Sequence, residues 1–137
     1  MPMEATTVNE LFLDSLERCA KSKKFIPAFY TRFLSASDDI RDKFRHTDFE
    51  RQNRMLLRSL RLAAHAADGK PEVLREIQER AVSHSRKHLN IDPRLYNFWR
   101  SALIETSRQF DDQWDDDIEE AWLTVLEYVI NQMIKHY

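Results

Sequence analysis

The chain has 137 residues, a formal net charge of −2, and contents of 42% hydrophobic and 32% charged residues. This length suits one domain that can bury a core without disulfides or a structural metal. Its single glycine argues against an all-β fold, because hairpin turns lean on glycine, and its charge balance argues against the concentrated basic surface that broad nucleic-acid binding needs.

The sequence predicts neither a secretory leader nor a membrane segment. The N-terminal MPMEATTVNE lacks a basic region followed by an apolar run, and no apolar stretch approaches the roughly 18 residues of a membrane span. Cys19 is the only cysteine and cannot form an internal disulfide, which favours a reducing compartment. We therefore expect a cytoplasmic protein that does not enter a membrane.

Apolar residues recur at helical spacing through the first half of the chain. The pattern predicts a helix from about Val8 to Ala20 and a second helix with one apolar face. That face consists of Ile26, Phe29, Tyr30, Phe33 and Leu34. The segment SASDD predicts a cap and a short helix through Phe44, and Asp48 resembles a cap for a long helix from about Phe49 to Ala67.

Glycine, proline and acidic residues mark the helix breaks in the second half. Gly69 ends the long helix, and Pro71 suits the first turn of a helix that runs to about His88. Asp92 is placed to cap a helix that reaches about Phe110, and DDQWDDDIEE predicts a solvated start of the last helix. The apolar face of that helix consists of Ile118, Trp122, Val125, Val129 and Met133. The fold predicted is all-α, either a bundle or helices crossed around a pocket.

Two histidines, His84 and His88, continue the apolar face of their predicted helix at a spacing of four. Such rings at a helix end can simply cap carbonyl groups. A pair four residues apart can also share a zinc ion, although no third ligand completes that site. A neutral imidazole that faces an apolar pocket is, finally, what an axial haem ligand requires.

Other polar residues lie within apolar stripes. Gln52 shares a helix face with Leu56, so its amide needs either a backbone partner or a ligand that accepts its hydrogen bond. Tyr30 lies between two phenylalanines, where its ring fits the core and its hydroxyl fits the surface. Phe44 alone is an ordinary core aromatic. The four arginines of RQNRMLLRSLR indicate a solvated face, or contacts with anionic groups at a pocket rim.

Taken in order, these residues resemble the globin family over nearly the whole chain, and the bacterial haemoglobins and the globin domains of flavohaemoglobins most closely. FYTRFLSASDDIRDKF is similar to their FYxxxF…F stretch, which implies that Tyr30 is the distal tyrosine and that Phe44 packs against the haem. RQNRMLL is similar to their distal helix, with Gln52 at the position held by Gln or His and Leu56 at the apolar distal position. AVSHSRKH places His84 at the proximal iron ligand.

Two further segments resemble other globins. SHSRKH is similar to the SHxxKH of myoglobins, which implies that His88 lies beside a haem propionate. NIDPRLY is similar to the VDPxxF corner of vertebrate haemoglobins, so Ile91 and Tyr96 fall at proximal pocket positions. The last helix departs from flavohaemoglobins, because Lys135 and its neighbours include no glutamate to support the proximal histidine.

The resemblance implies a single globin domain over residues 1–137 that holds haem b and reversibly binds oxygen, carbon monoxide or nitric oxide. His84 would ligate the iron, and Tyr30 and Gln52 would hydrogen-bond the gas. The same site also suits a gas sensor, or a nitric oxide dioxygenase that depends on an external reductase. The alternatives are a haem-free helical interaction module and a metal protein that uses His84 and His88. We expect a monomer or homodimer.

Overall fold

The computed structural model describes residues 4–67, 75 and 92–135, and its regular structure there is all α-helical, as predicted. The helices are α1 (Glu4–Ala20), α2 (Phe25–Ser35), α3 (Asp38–Lys43), α4 (Phe49–Ala67), α5 (Leu95–Phe110) and α6 (Asp116–Lys135). Of the predicted helix that carries His84 and His88, only residue 75 is described, and it is helical; both histidines and Ile91 lie outside the described residues. None of the helices in the described ranges is both long and apolar enough to cross a membrane.

Side-chain caps fix the starts of α3 and α4. The Ser37 hydroxyl accepts hydrogen bonds from the backbone N–H groups of Asp39 and Ile40, so SASDD starts α3 as predicted. Asp48 Oδ1 accepts from the N–H of Arg51 at 3.4 Å in the first turn of α4. Pro27 lies in the first turn of α2, where a missing N–H costs no helical hydrogen bond.

The two C-terminal helices start differently from each other. Asp115 Oδ1 accepts from the N–H of Ile118 at 2.8 Å and so caps α6. Asp92 does not cap α5 directly, because the helix starts only at Leu95. Instead the Asp92 carboxylate accepts from the N–H of Arg94 at 2.9 Å, two residues on, which forms a turn ahead of the helix.

Helices that are distant in sequence form the core. Helix α1 packs against α6, α2 packs against α5, and α4 packs against both α1 and α6. An up-and-down bundle would chiefly pair sequence neighbours, so this pattern favours helices wrapped around a pocket. The largest fully buried side chains include Phe12, Leu16, Phe25, Phe29, Ile40, Leu60, Leu103, Trp122 and Leu126.

A buried polar link joins α1 to the corner between α5 and α6. Asp111 is 2% exposed and accepts hydrogen bonds from Arg18 at 2.7 and 2.9 Å and from the Ser15 hydroxyl at 2.6 Å. Ser15 Oγ accepts in turn from the indole N–H of Trp122 at 2.9 Å. Burial raises the pKa of Asp111, but the hydrogen bonds from Arg18 and Ser15 outweigh it and hold that pKa below its usual value. The prediction of a solvated acidic segment is therefore right for the exposed Asp112 but wrong for Asp111.

Candidate functional site

Helix α2 directs three aromatic rings inward. Phe29 is fully buried, Tyr30 is 5% exposed and Phe33 is 6% exposed. The Phe29 ring lies edge-on to Tyr30, with centroids 4.8 Å apart, and stacks on Phe33 at 5.4 Å. Residues three and four apart share a helix face, so this one segment supplies a continuous aromatic wall.

The turn after α3 brings Phe44 onto the same wall. Phe44 ends the short helix, and its N–H bonds to the carbonyls of Ile40 and Arg41. Its half-buried ring lies 6.0 Å from Tyr30 and 5.7 Å from Phe33, measured between centroids. A residue that is distant from α2 along the chain thus becomes a neighbour of Tyr30.

Helix α4 closes the site from the opposite side. Phe49 starts the helix and lies edge-on to Tyr30 with centroids 5.4 Å apart, while it stacks on Phe44 at 6.4 Å. One turn further, Gln52 is half-buried, and Leu56 is 7% exposed in the core. The structure therefore brings Tyr30, Phe44 and Gln52 together and places Leu56 on the helix that carries Gln52.

The side chains of Tyr30 and Gln52 lie close to each other at the wall. Burial raises the pKa of the Tyr30 phenol to about 12, although the nearby Gln52 side chain opposes that rise. The hydroxyl is therefore protonated at neutral pH, and because Tyr30 as a whole is only 5% exposed, the residue belongs to the core rather than to the surface. A hydroxyl and an amide in an apolar wall can offer two hydrogen bonds to a small polar ligand.

Phe49 is the site residue that sequence reasoning missed. The stripe of α4 assigns it to the core, and the family resemblance gives it no role. The available signal is its position one turn before Gln52 on the same helix face. Its contacts with Tyr30 and Phe44 became visible only when α2, α3 and α4 were placed together.

The proximal half of the predicted site is less fully described. His84, His88 and Ile91 lie outside the described residues, whereas Tyr96 is half-buried in the first turn of α5. Across the part of the chain that the structure describes, no three His, Cys, Asp or Glu side chains group to hold a metal ion. The described residues thus supply an aromatic wall with a polar pair.

Comparison with known proteins agrees with this arrangement. The globin family model matches residues 27–133 of the chain. A solved structure of a protein from Pseudomonas aeruginosa PAO1, described as structurally highly homologous to a human hemoglobin, is similar with a TM-score of 0.90 and 30% sequence identity. That match covers 95% of this chain and 98% of the other. No curated protein sequence matches the chain.

The matched segment contains every residue of the aromatic wall and the polar pair. The pairing of α1 with α6 and of α2 with α5 reflects the same helical fold as the Pseudomonas protein. Family and fold together support a haem-binding protein. On these matches, the chain belongs to the globin family.

Proposed function

We propose that this protein is a single-domain globin, spanning residues 1–137, that holds haem b and reversibly binds a diatomic gas: oxygen, carbon monoxide or nitric oxide. The observation that carries the proposal is the neighbouring polar pair of Tyr30 and Gln52 at an aromatic wall. When bound, the haem iron supplies the position at which the gas attaches. His84 is proposed as its protein ligand.

The described residues fit a flat apolar group with one polar spot above it. The side chains of Phe44, at the end of α3, and Leu56, inside α4, are apolar. They offer the kind of contact that the face of a porphyrin needs. His88, Ile91 and Tyr96 are proposed to hold the proximal side and the edge of the haem. The wall also limits water, which a buried gas site must keep out.

Tyr30 and Gln52 then act as hydrogen-bond donors to a gas ligand that carries partial negative charge. The neutral phenol keeps its proton at all physiological pH values, because burial raises its pKa to about 12. Each hydrogen bond contributes roughly 1–2 kcal/mol in a dry pocket, and every 1.4 kcal/mol is about tenfold in affinity. Two such donors act mainly on the off-rate, so we expect tight binding and slow release.

The test is the visible absorption spectrum of the purified, haem-supplemented protein after reduction, then under carbon monoxide and separately in air. A stoichiometric haem spectrum whose Soret band sharpens and shifts with carbon monoxide, and a lasting two-banded spectrum in air, would support the proposal. Failure to hold haem in stoichiometric amount would overturn it. That result would favour a haem-free helical interaction module instead.

A further inference from the structure

A second concave site lies on the other side of α4, between that helix and the corner that joins α1 to α2. It is a cavity of about 280 Å³ that opens to solvent. Ser22 and Lys23 of the corner line one side, and Asn53 and Arg54 of α4 line the other. We call it the corner site. None of the residues of the aromatic wall lines it.

The charged residues that line the corner site are all positive. Lys23 and Arg54 are both exposed, and among the described residues neither takes part in an ion pair. No carboxylate is among the lining residues. The exposed Glu17 of α1 does not line the cavity and is held by Arg61 through two hydrogen bonds of 2.7 Å. Two cations without counter-ions across one cavity attract an anion.

The uncharged residues of the corner site supply hydrogen-bonding groups that can orient a ligand, and an apolar surface. Asn53 Oδ1 has no hydrogen-bond partner within the described structure and is itself covered, while Asn53 is half-buried and lines the cavity, so the oxygen accepts from a ligand donor when the side chain turns toward the opening. Ser22 Oγ accepts from the N–H of Lys24 at 3.2 Å, which leaves its own hydroxyl proton to be donated. Ile26, Pro27 and Leu57 supply apolar surface next to these groups.

From this lining we infer that the corner site binds a small organic anion. The carboxylate of the anion lies between Lys23 and Arg54, its apolar body rests on Ile26 and Leu57, and an O–H or N–H group of the ligand donates to Asn53. The volume lies at the lower end of the range for small-molecule sites, so the ligand has the size of one substituted ring. The inference does not depend on haem binding, because it uses none of the proposed haem contacts.

Titration of the isotope-labelled protein with 4-hydroxybenzoate, followed by two-dimensional NMR, tests the site. This probe has the charge, the ring and the hydroxyl donor. We expect saturable shifts at the amides of Ser22, Lys23, Asn53 and Arg54, with binding at least fivefold tighter than that of benzoate or 4-hydroxybenzamide at equal ionic strength. Shifts that do not saturate, or that are confined to Tyr30 and Phe44, would overturn the inference.

Matched variants distinguish specific binding at the corner site from non-specific attraction of the anion to surface charge. Lys23→Ser with Arg54→Ser should weaken 4-hydroxybenzoate at least tenfold. The control, Lys21→Ser with Arg51→Ser, removes two neighbouring exposed cations that do not line the cavity and should change binding less than twofold. Equal losses in the two double variants would show that diffuse charge alone attracts the probe, and the corner site would then be rejected.

The role of Asn53 has its own variant. Asn53→Leu keeps the size of the side chain but removes the acceptor. The affinity of the variant for 4-hydroxybenzoate should therefore fall to its affinity for benzoate, whereas its affinity for benzoate should change little. An undiminished preference for the hydroxylated probe would remove Asn53 from the recognition scheme. Thermal unfolding of each variant confirms that it folds before binding is compared.

Discussion

Replacing Asp111 by Asn tests the buried polar link most directly. The change keeps the size of the side chain and removes its charge. In the native protein Asp111 accepts two hydrogen bonds from Arg18 and one from Ser15, and its side chain has no exposed surface. An Asn at this position has one acceptor oxygen, and its amide protons would face the donors of Arg18 and Ser15.

The expected loss of stability follows from how deeply Asp111 and Arg18 are each buried. Removing one partner of a fully buried ion pair costs about 3–5 kcal/mol, since the other charge loses its counter-ion. The Arg18 side chain remains 21% exposed and can turn partly toward water, which places the expected loss at the lower end. We therefore expect unfolding free energy to fall by about 3 kcal/mol. For a chain of this length that corresponds to a melting point lower by about 10 °C.

The assay is denaturant and thermal unfolding followed by circular dichroism, with Asp112→Asn as the control. Asp112 is the adjacent, exposed carboxylate, and its loss should change stability by less than about 0.5 kcal/mol. Equal stability of the two variants at pH 7 would refute the role assigned to Asp111. A double-mutant cycle with Arg18→Leu should give a coupling energy of about 1–3 kcal/mol.

The link also predicts a pH dependence with a definite sign. The pKa of Asp111 is lower in the folded protein than in the unfolded chain, where it is about 3.9. Its stabilisation is therefore fully present above about pH 4.5 and is lost as pH falls through the folded pKa. The stability difference between wild type and Asp111→Asn should shrink in that acidic window. A difference that stays constant down to the acid transition would contradict this assignment.

Three further predictions follow from the site and the core. Tyr30→Phe removes one donor, worth about 1–1.4 kcal/mol, and should speed oxygen release about five- to tenfold by stopped flow; an unchanged rate would remove Tyr30 from the distal site. His84→Ala should lose or misligate haem, and an unaltered ferrous spectrum with full haem content would assign the iron to another residue. Cys19 is fully buried, and burial raises its thiol pKa to about 12, so a disulfide reagent at pH 8 should react only as fast as the protein opens; rapid modification of the native protein would contradict the packing of α1.

Local patterns predicted the helices because caps and apolar faces are local properties. Helix α4 begins at Phe49 and ends at Ala67 as the sequence indicated, and Ser37 caps α3. The first helix starts at Glu4 rather than at about Val8, because an apolar pattern marks core positions and does not fix the first helical residue. Helix α5 starts at Leu95, since the Asp92 side chain bonds into a turn before the helix.

The aromatic wall and its polar pair were partly predictable from the sequence, and the limits of that prediction have a physical cause. Family spacing singled out Tyr30, Phe44, Gln52 and Leu56, and the structure brings the first three into one cluster. The approach of Tyr30 to Gln52 depends on how α2 and α4 lie against each other, which no local pattern encodes. Phe49 was missed for the same reason, because an aromatic residue in a stripe gives no sign of which ring it will meet.

The buried link at Asp111 was also beyond a local analysis. A run of acidic residues before a helix usually faces water, and most of this run does. Asp111 differs because Arg18 and Ser15, at the other end of the chain, lie where its carboxylate is buried. The one sequence signal was Ser15, a polar residue on the α1 face that also carries Phe12 and Cys19.

The packing of α1 on α6 sets the order in which the chain can fold as it is synthesised. Helix α1 is complete at Ala20, but its principal partner begins only at Asp116. At typical ribosomal speeds the apolar side of α1 therefore waits on the order of ten seconds for that partner. During this interval the nascent chain presents Phe12 and Leu16 to water or to a chaperone. The native packing of α1 in this globin is thus completed only after α6 has been synthesised.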